Sequence, residues 1–517
     1  MTTQTITNAV CGDAEPRRVL RYFEEICGIP HGSFHTEEIS DYLVRFAKER
    51  NLDYVQDEAG NVIIRKAGLG SAAAHEPIIL QGHMDMVLEK TEDCPRYLER
   101  EPIVLMRDGD TLYADGTTLG GDDGIAVAMM LALLDADDLS YPDLECIFTV
   151  NEEVGMLGAA ALDVGALRGR RMINLDSEAE GIFTVGCAGG AEVHMDFAVR
   201  RKPRFGTLLR VSVSGLTGGH SGVCITDGRA NADLALARIL DEVYQAVPFR
   251  LIRISGGSKD NAIPRSARAD VLFEQGFDRE KAAAAFASCT ASIRKEYALT
   301  DPDMVTEAHW AVTPDPVQYP MSAKDTRRIL RFLNVVPNGL MAMDAMDHAM
   351  PQTSLNLGIL NSDDDGVHAV SLVRSSINSQ KNYLVRRIEL LVRALDGECK
   401  VAGAYPAWER APHSPLCEGM ASIYERMTGA APQILVIHGG VECGILAAKI
   451  AERDLAAGDG YEKISYENEE AGEKRPAGLD CVSIGPEMEG IHTPEEKLSI
   501  SSVQRTWDFL LEVLKEL

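Results

Sequence analysis

The sequence predicts an α/β protein with a mostly parallel sheet, assembled from both ends of the chain around an inserted α+β domain. Three observations carry this. Helical and strand patterns alternate over the first third of the chain, as in βαβ units. From about Val193 strands alternate apolar and polar residues, the mark of a sheet with one solvated face. After about residue 400 the pattern returns to helix, strand and helix. A chain of 517 residues is long enough for two or more domains. The expected boundaries are 1–190 and 401–517 for the two parts of the core, with 191–400 inserted.

Element by element, "EEISDYLVRFAKERN" reads as an amphipathic helix, and "NVIIRKA" and "EPIILQGH" as strands. "DGIAVAMMLALLD" is apolar on every side and reads as a buried helix. "LECIFTVNEE" and "RMINLDSE" are further strands, each ending on acids. In the insert, "LLRVSVSG", "ARADVLFEQ" and "VHAVSLVRSS" read as strands, with helices at "ADLALARILDEVYQAV", "REKAAAAFASCTASIRKEY" and "KNYLVRRIELLVRALDG". The C-terminal part contributes "QILVIHGG", "LDCVSIGP" and the closing helix "SVQRTWDFLLEVLKEL". The polar, Gly-rich stretch 453–478 reads as a surface excursion.

Composition narrows the function. A net charge of -28 argues against a nucleic-acid partner, which asks for clustered Lys and Arg. No basic and apolar leader opens the chain, and no charge-free run approaches the roughly 18 residues of a membrane span. The expectation is a cytoplasmic protein with no membrane association. The eleven cysteines are scattered and never spaced Cys-x-x-Cys, which suits reduced thiols. Any metal site must therefore use His, Asp and Glu.

Such residues recur at strand ends. His83 and Asp85 close the apolar run "PIILQGHMD", and a carboxylate beside an imidazole can fix its tautomer and strengthen it as a ligand. Alone, the pair also reads as a satisfied histidine near a strand end. Asp122 and Asp123 follow a Gly-rich loop, where capping of the next helix is the plain alternative. Glu152 and Glu153 end another strand, Asp176 a third, and His492 lies just past a fourth. In open α/β sheets the carboxyl ends of parallel strands converge on one crevice. Asp122, Glu153 and Asp176 gathered there without cations would repel one another. Two divalent ions would offset three carboxylates and one hydroxide, with His83 and His492 as neutral ligands, and this donor set suits Zn, Co or Mn. Of the adjacent glutamates, one can bind metal while the other takes a proton from water and delivers it to a leaving amine.

"QGHMDMV", "GTTLGGDDG", "NEEVGMLG", "NLDSE", "GCAGG", "GLTGGHSG", "NAIPR" and "GIHTPEE" together resemble the M20 metallopeptidases, most closely their aminoacyl-histidine dipeptidase branch. The resemblance implies a phosphorylase/hydrolase-like di-metal core with a lid and dimerisation domain. It implies that Asp122 bridges two metals, that His83 and Asp176 complete one shell, and that Glu153 and His492 complete the other. Glu152 would be the general base that activates a metal-bridging water, with Asp85 orienting His83. His220 of "GGHSG" would stabilise the tetrahedral intermediate, and Asn261 and Arg374 would contact substrate. The implied activity is hydrolysis of short free peptides, Xaa-His and β-alanyl-histidine among them, by a zinc-dependent homodimer joined through the lid, with cobalt or manganese as other metals. An M20-type deacylase of N-acyl amino acids and a non-catalytic metal or peptide binder of the same fold are the alternatives. Asp123 stands where the branch commonly has Asn, "GIHTP" replaces a "GPHSP"-like motif, and the Gly-rich loop "HGGVECG" contains Glu442.

Overall fold

The computed structural model describes residues 10–311, 317–457 and 478–517, and the chain divides into two compact units. The first comprises Met1–Gly186, Arg410–Val436 and Val441–Leu517, and the second Cys187–Glu409 and Ile437–Gly440. Of the stretch 453–478, the first residues finish the helix Glu442–Ala457, and 458–477 lie outside the described residues.

The first unit is built on an eight-stranded sheet. From one edge, its strands are Asp53–Gln56, Val62–Lys66, Leu144–Thr149, Ile78–His83, Arg171–Asn174, Asp480–Ser483, Ile182–Cys187 and Gln433–Ile437. The four strands from Leu144–Thr149 to Asp480–Ser483 run parallel. Their flanks are antiparallel: Asp53–Gln56 and Val62–Lys66 form a hairpin against Leu144–Thr149, and Ile182–Cys187 runs against Asp480–Ser483. A loop as short as 57–61 cannot make the crossover that a parallel pair needs. Ile78–His83 and Leu144–Thr149 are buried along their whole length, as strands covered on both faces must be. The helix Gly121–Leu134 is likewise buried on all sides, and Arg17–Cys27 and Glu37–Glu49 add apolar faces to the same core.

Because the central strands share a direction, their carboxyl ends at His83, Thr149 and Asn174 lie along one edge, with His83 opposite Thr149 and Gln81 opposite Asn174. A smaller four-stranded sheet supplies the remaining component. Lys497–Ser499 pairs with Thr111–Ala114 and with Met488–Glu489. His492 sits in the turn between the last two strands, at a left-handed φ of 59°.

The second unit holds a nine-stranded sheet whose pairings are antiparallel. Helices Ala232–Ala246, Ala323–Val335 and Asn378–Ala394 bury their apolar residues in its core. Asn231 and Ser322 cap the first two by accepting backbone N–H bonds. Among the described residues no helix is long and apolar enough to cross a membrane. Among the described residues, which include all eleven cysteines, there is no disulfide.

Candidate metal centre

The strand Ile78–His83 delivers His83 to the sheet edge at 1% exposure. Its Nδ1 meets the main-chain oxygen of Asp85 at 2.9 Å, which leaves Nε2 to face Asp122 Oδ1 at 3.0 Å and Asp176 Oδ1 at 3.5 Å. His492 Nε2 faces Asp122 Oδ2 at 3.1 Å and Glu153 Oε1 at 2.9 Å. The two oxygens of Asp122 are thus divided between two imidazoles, and each imidazole has a second carboxylate. His83, Asp122 and Glu153 bring donor atoms within 4.8 Å of one another, as do His83, Asp123 and Asp176.

Electrostatics reflect the crowding. Burial opposes charge on His83, yet hydrogen bonds to Asp122 and Asp176 raise its pKa well above the ordinary imidazole value. His492 is raised to about 11, by Asp122 first and Glu153 second. Burial pushes Glu153 and Asp176 upward, whereas Asp122, also opposed by burial, is held low by its two histidines. A positive charge at this point, on an imidazole or on a cation, would offset the converging carboxylates. Five imidazole and carboxylate donors, with one carboxylate shared, fit two divalent ions of the Zn, Co or Mn type.

Glu152 stands beside this cluster, and burial pushes its carboxyl well above the usual range. The sequence assigned Asp85 to orienting His83, and Asp85 lies against the Nδ1 side of that imidazole, its main-chain oxygen nearer than its carboxylate. The carbonyl makes the contact, while Asp85 Oδ1 is 3.6 Å from Nδ1. The carboxylate also accepts from Glu152 N at 2.9 Å and from Ser33 Oγ at 2.8 Å. Asp123 is fully buried and accepts the His83 N–H at 3.1 Å through Oδ2. Gly82 permits that approach, because a Cβ there would lie 2.5 Å from Asp123 Oδ2.

Sequence reasoning passed over Glu496. Its carboxylate accepts the N–H groups of Leu119, Gly120, Gly121 and Asp122 at 2.7 to 3.4 Å. It therefore clamps the loop that presents Asp122 from the segment that presents His492. The signal was a second acid in "TPEE", which resembles any solvated loop. A second network ties Gln81, Thr149 and Asn174 to Glu442, and burial pushes Glu442 up to about 7. Its signal was one polar residue near the end of each apolar strand.

His220, Asn261 and Arg374 belong to the second unit. His220 pairs with Ala262, and its Nδ1 accepts N–H bonds from Gly222 and Val223 at 3.3 Å, which leaves the proton on exposed Nε2. Burial and the Arg374 charge lower its pKa. Arg374 is 7% exposed, with Nη1 3.4 Å from Tyr405 Oη and Nε without a hydrogen-bond partner among the described residues. Asn261 is exposed, and its carbonyl accepts the Ser221 N–H.

Residues 211–298 match the M20 peptidase dimerisation domain. Over 504 residues the chain is 32% identical to the cytosol non-specific dipeptidase of Escherichia coli, covering 97% of this chain and 98% of that protein. The chain belongs to the M20 metallopeptidase family. As a member of the M20 family it is a metal-dependent hydrolase of peptide bonds. The crystal structure of aminoacylhistidine dipeptidase from Vibrio alginolyticus superimposes with a TM-score of 0.83 at 32% identity, covering 99% of this chain and 98% of that one. An aminopeptidase from Bacillus cereus matches at a TM-score of 0.53 and 16% identity, over 98% of this chain and 99% of that one, and shares the M20 fold.

Proposed function

We propose that the chain is a di-metal dipeptidase for short free peptides, Xaa-His dipeptides including β-alanyl-histidine among them. The observation that carries this is the division of Asp122 between His83 and His492, with Asp176 and Glu153 completing two sets of donors beside Glu152. Asp122, His83 and Asp176 would hold one ion and Asp122, Glu153 and His492 the other. Zinc is the proposed metal. Bound ions supply Lewis acidity, which acidifies water and polarises the scissile carbonyl.

The chain's own residues do the rest. Glu152 takes a proton from the attacking water and passes it to the departing amine. Asp85 holds the Glu152 backbone by accepting its N–H, and Ser33 Oγ donates to the other oxygen of that carboxylate. His220, with Nδ1 engaged as an acceptor, offers Nε2–H to the oxyanion of the tetrahedral intermediate. Arg374 and Asn261 bind the substrate carboxylate and backbone, Arg374 through its planar fork. The names of the Escherichia coli and Vibrio alginolyticus relatives support a dipeptide substrate and, for the latter, a C-terminal histidine. The match to the dimerisation domain supports a homodimer joined through the second unit, and the cytosolic relative a cytoplasmic location.

A dipeptide panel with metal analysis on the same sample tests this reading. Ala-His and β-Ala-His should be cleaved while N-acetyl-His is not. Cleavage of N-acetyl-His in preference to Ala-His would make the chain a deacylase.

A further inference from the structure

Glu442 opens the helix Glu442–Ala457 and is completely buried in the first unit, where the positive end of the helix favours a carboxylate. Among the described residues its hydrogen bonds go to none of the proposed ligands. Its Oε2 accepts from Gln81 Nε2 at 2.6 Å and from Thr149 Oγ1 at 2.5 Å. Gln81 Oε1 in turn accepts from Asn174 Nδ2 at 2.7 Å. Gln81, Thr149 and Asn174 are themselves 0% exposed. Each lies on a different strand, just before a residue of the proposed metal centre. Gln81 precedes His83 by two positions, Asn174 precedes Asp176 by two, and Thr149 leads into Glu152 and Glu153.

Buried polar chains of this kind add little net stability compared with apolar side chains of the same shape, and leaving one member unpaired is costly. What they contribute is definition. In a strand, residues two apart share a face, so fixing Gln81 also fixes the direction in which His83 leaves the sheet. Ligand sets must be held to about 0.5 Å for productive geometry. One carboxylate bonded to two strand ends, and through Gln81 to a third, meets that need in a way that leucine packing does not.

We propose that Glu442 is a positioning residue that locks the carboxyl ends of strands Ile78–His83, Leu144–Thr149 and Arg171–Asn174 in register, so that the ligands are aimed before metal arrives. The proposal rests on the reading of His83, Asp122, Glu153, Asp176 and His492 as ligands. It applies to the metal-free chain as well as to the loaded enzyme.

The test uses the full chain, stripped of metal and titrated with Co2+, as wild type and as Glu442→Ala, Glu442→Gln and Thr149→Val. Two Co2+ per wild-type chain supports the ligand reading; fewer than two refutes that reading, independently of any variant. With it in place, Glu442→Ala should lose affinity by about 10- to 100-fold, the range for residues that orient ligands, and shift the visible absorption of bound Co2+. Glu442→Gln keeps an oxygen for both donors and should stay within a few-fold of wild type. Thr149→Val removes one donor and should move affinity and spectrum in the same direction, by less. A folded Glu442→Ala chain with unchanged Co2+ affinity and spectrum overturns the proposal, whatever happens to its melting temperature. If that variant does not fold, unchanged affinity and spectrum in Thr149→Val overturn it equally.

Discussion

Asp85 Oδ1 accepts the backbone N–H of Glu152 at 2.9 Å, so the proposed general base is held in place by a carboxylate that leaves the neighbouring strand end. Asp85 Oδ2 is occupied by Ser33, which fixes the orientation of the carboxylate. Replacing Asp85 with Ala should lower kcat by about tenfold to a hundredfold, comparable to the loss of other supporting partners of a metal site. Asp85→Asn can present its oxygen to Glu152 and its amide to Ser33, and should keep most of the activity. Steady-state kinetics with metal content measured alongside checks this; equal losses for Asn and Ala would remove the positioning role.

Glu496 binds the loop 119–122 through four backbone N–H groups. Glu496→Ala leaves those buried donors without their acceptor, at about 1 to 3 kcal/mol each for the ones water cannot reach. The variant should melt at a lower temperature and bind metal more weakly, since Asp122 is the loop's last member. Calorimetry and metal titration measure the two effects. A variant as stable as the parent would mean that the clamp contributes nothing.

His220 carries its proton on Nε2 because Nδ1 accepts two backbone bonds. Its replacement by Ala should reduce kcat by about 10²- to 10³-fold, the usual range for one oxyanion donor, with two ions still bound. An unchanged rate would exclude the role.

Asp233 is fully buried, and neither carboxylate oxygen has a hydrogen-bond partner among the described residues. Burial raises its pKa well above the ordinary value. The folded chain then binds this proton more tightly than the unfolded chain, whose carboxyl titrates near pH 3.9. The group's contribution to stability is complete below that pH and is lost as pH rises through the folded value. Asp233→Asn should therefore melt higher relative to wild type at pH 8 than at pH 5. A difference between the two chains that does not change with pH would contradict the assignment.

Much of the arrangement was legible in the sequence because imidazoles and carboxylates at the ends of apolar runs are costly to bury unless they meet a partner or a cation there. His83, Asp122, His492 and Glu153 form a chain of hydrogen-bonding contacts: His83 and Glu153 follow parallel strands to one edge, whereas Asp122 comes from the start of a buried helix and His492 from a turn of the smaller antiparallel sheet. What was not legible depended on pairings across long stretches of chain. Glu496 and the loop it clamps lie some 375 positions apart, and nothing local in "TPEE" indicates which backbone it reaches. Asp85 was placed on His83 by its spacing of two, and its Oδ1 lies 3.6 Å from His83 Nδ1; the bond it also accepts from the Glu152 N–H is a partner that the spacing did not indicate. The antiparallel flanks of the first sheet were hidden because hydrophobic patterns register burial and not strand direction.

In the proposed mechanism Glu152 moves the proton while its neighbour Glu153 and four other residues hold the ions. Glu152→Gln, assayed for Ala-His hydrolysis and for metal on one sample, separates these roles. The expected result is about two ions per chain with turnover reduced by at least 10²-fold, the scale of a lost general base. Hydrolysis at the wild-type rate would contradict the mechanism, and loss of both ions would make Glu152 part of the metal site rather than the base.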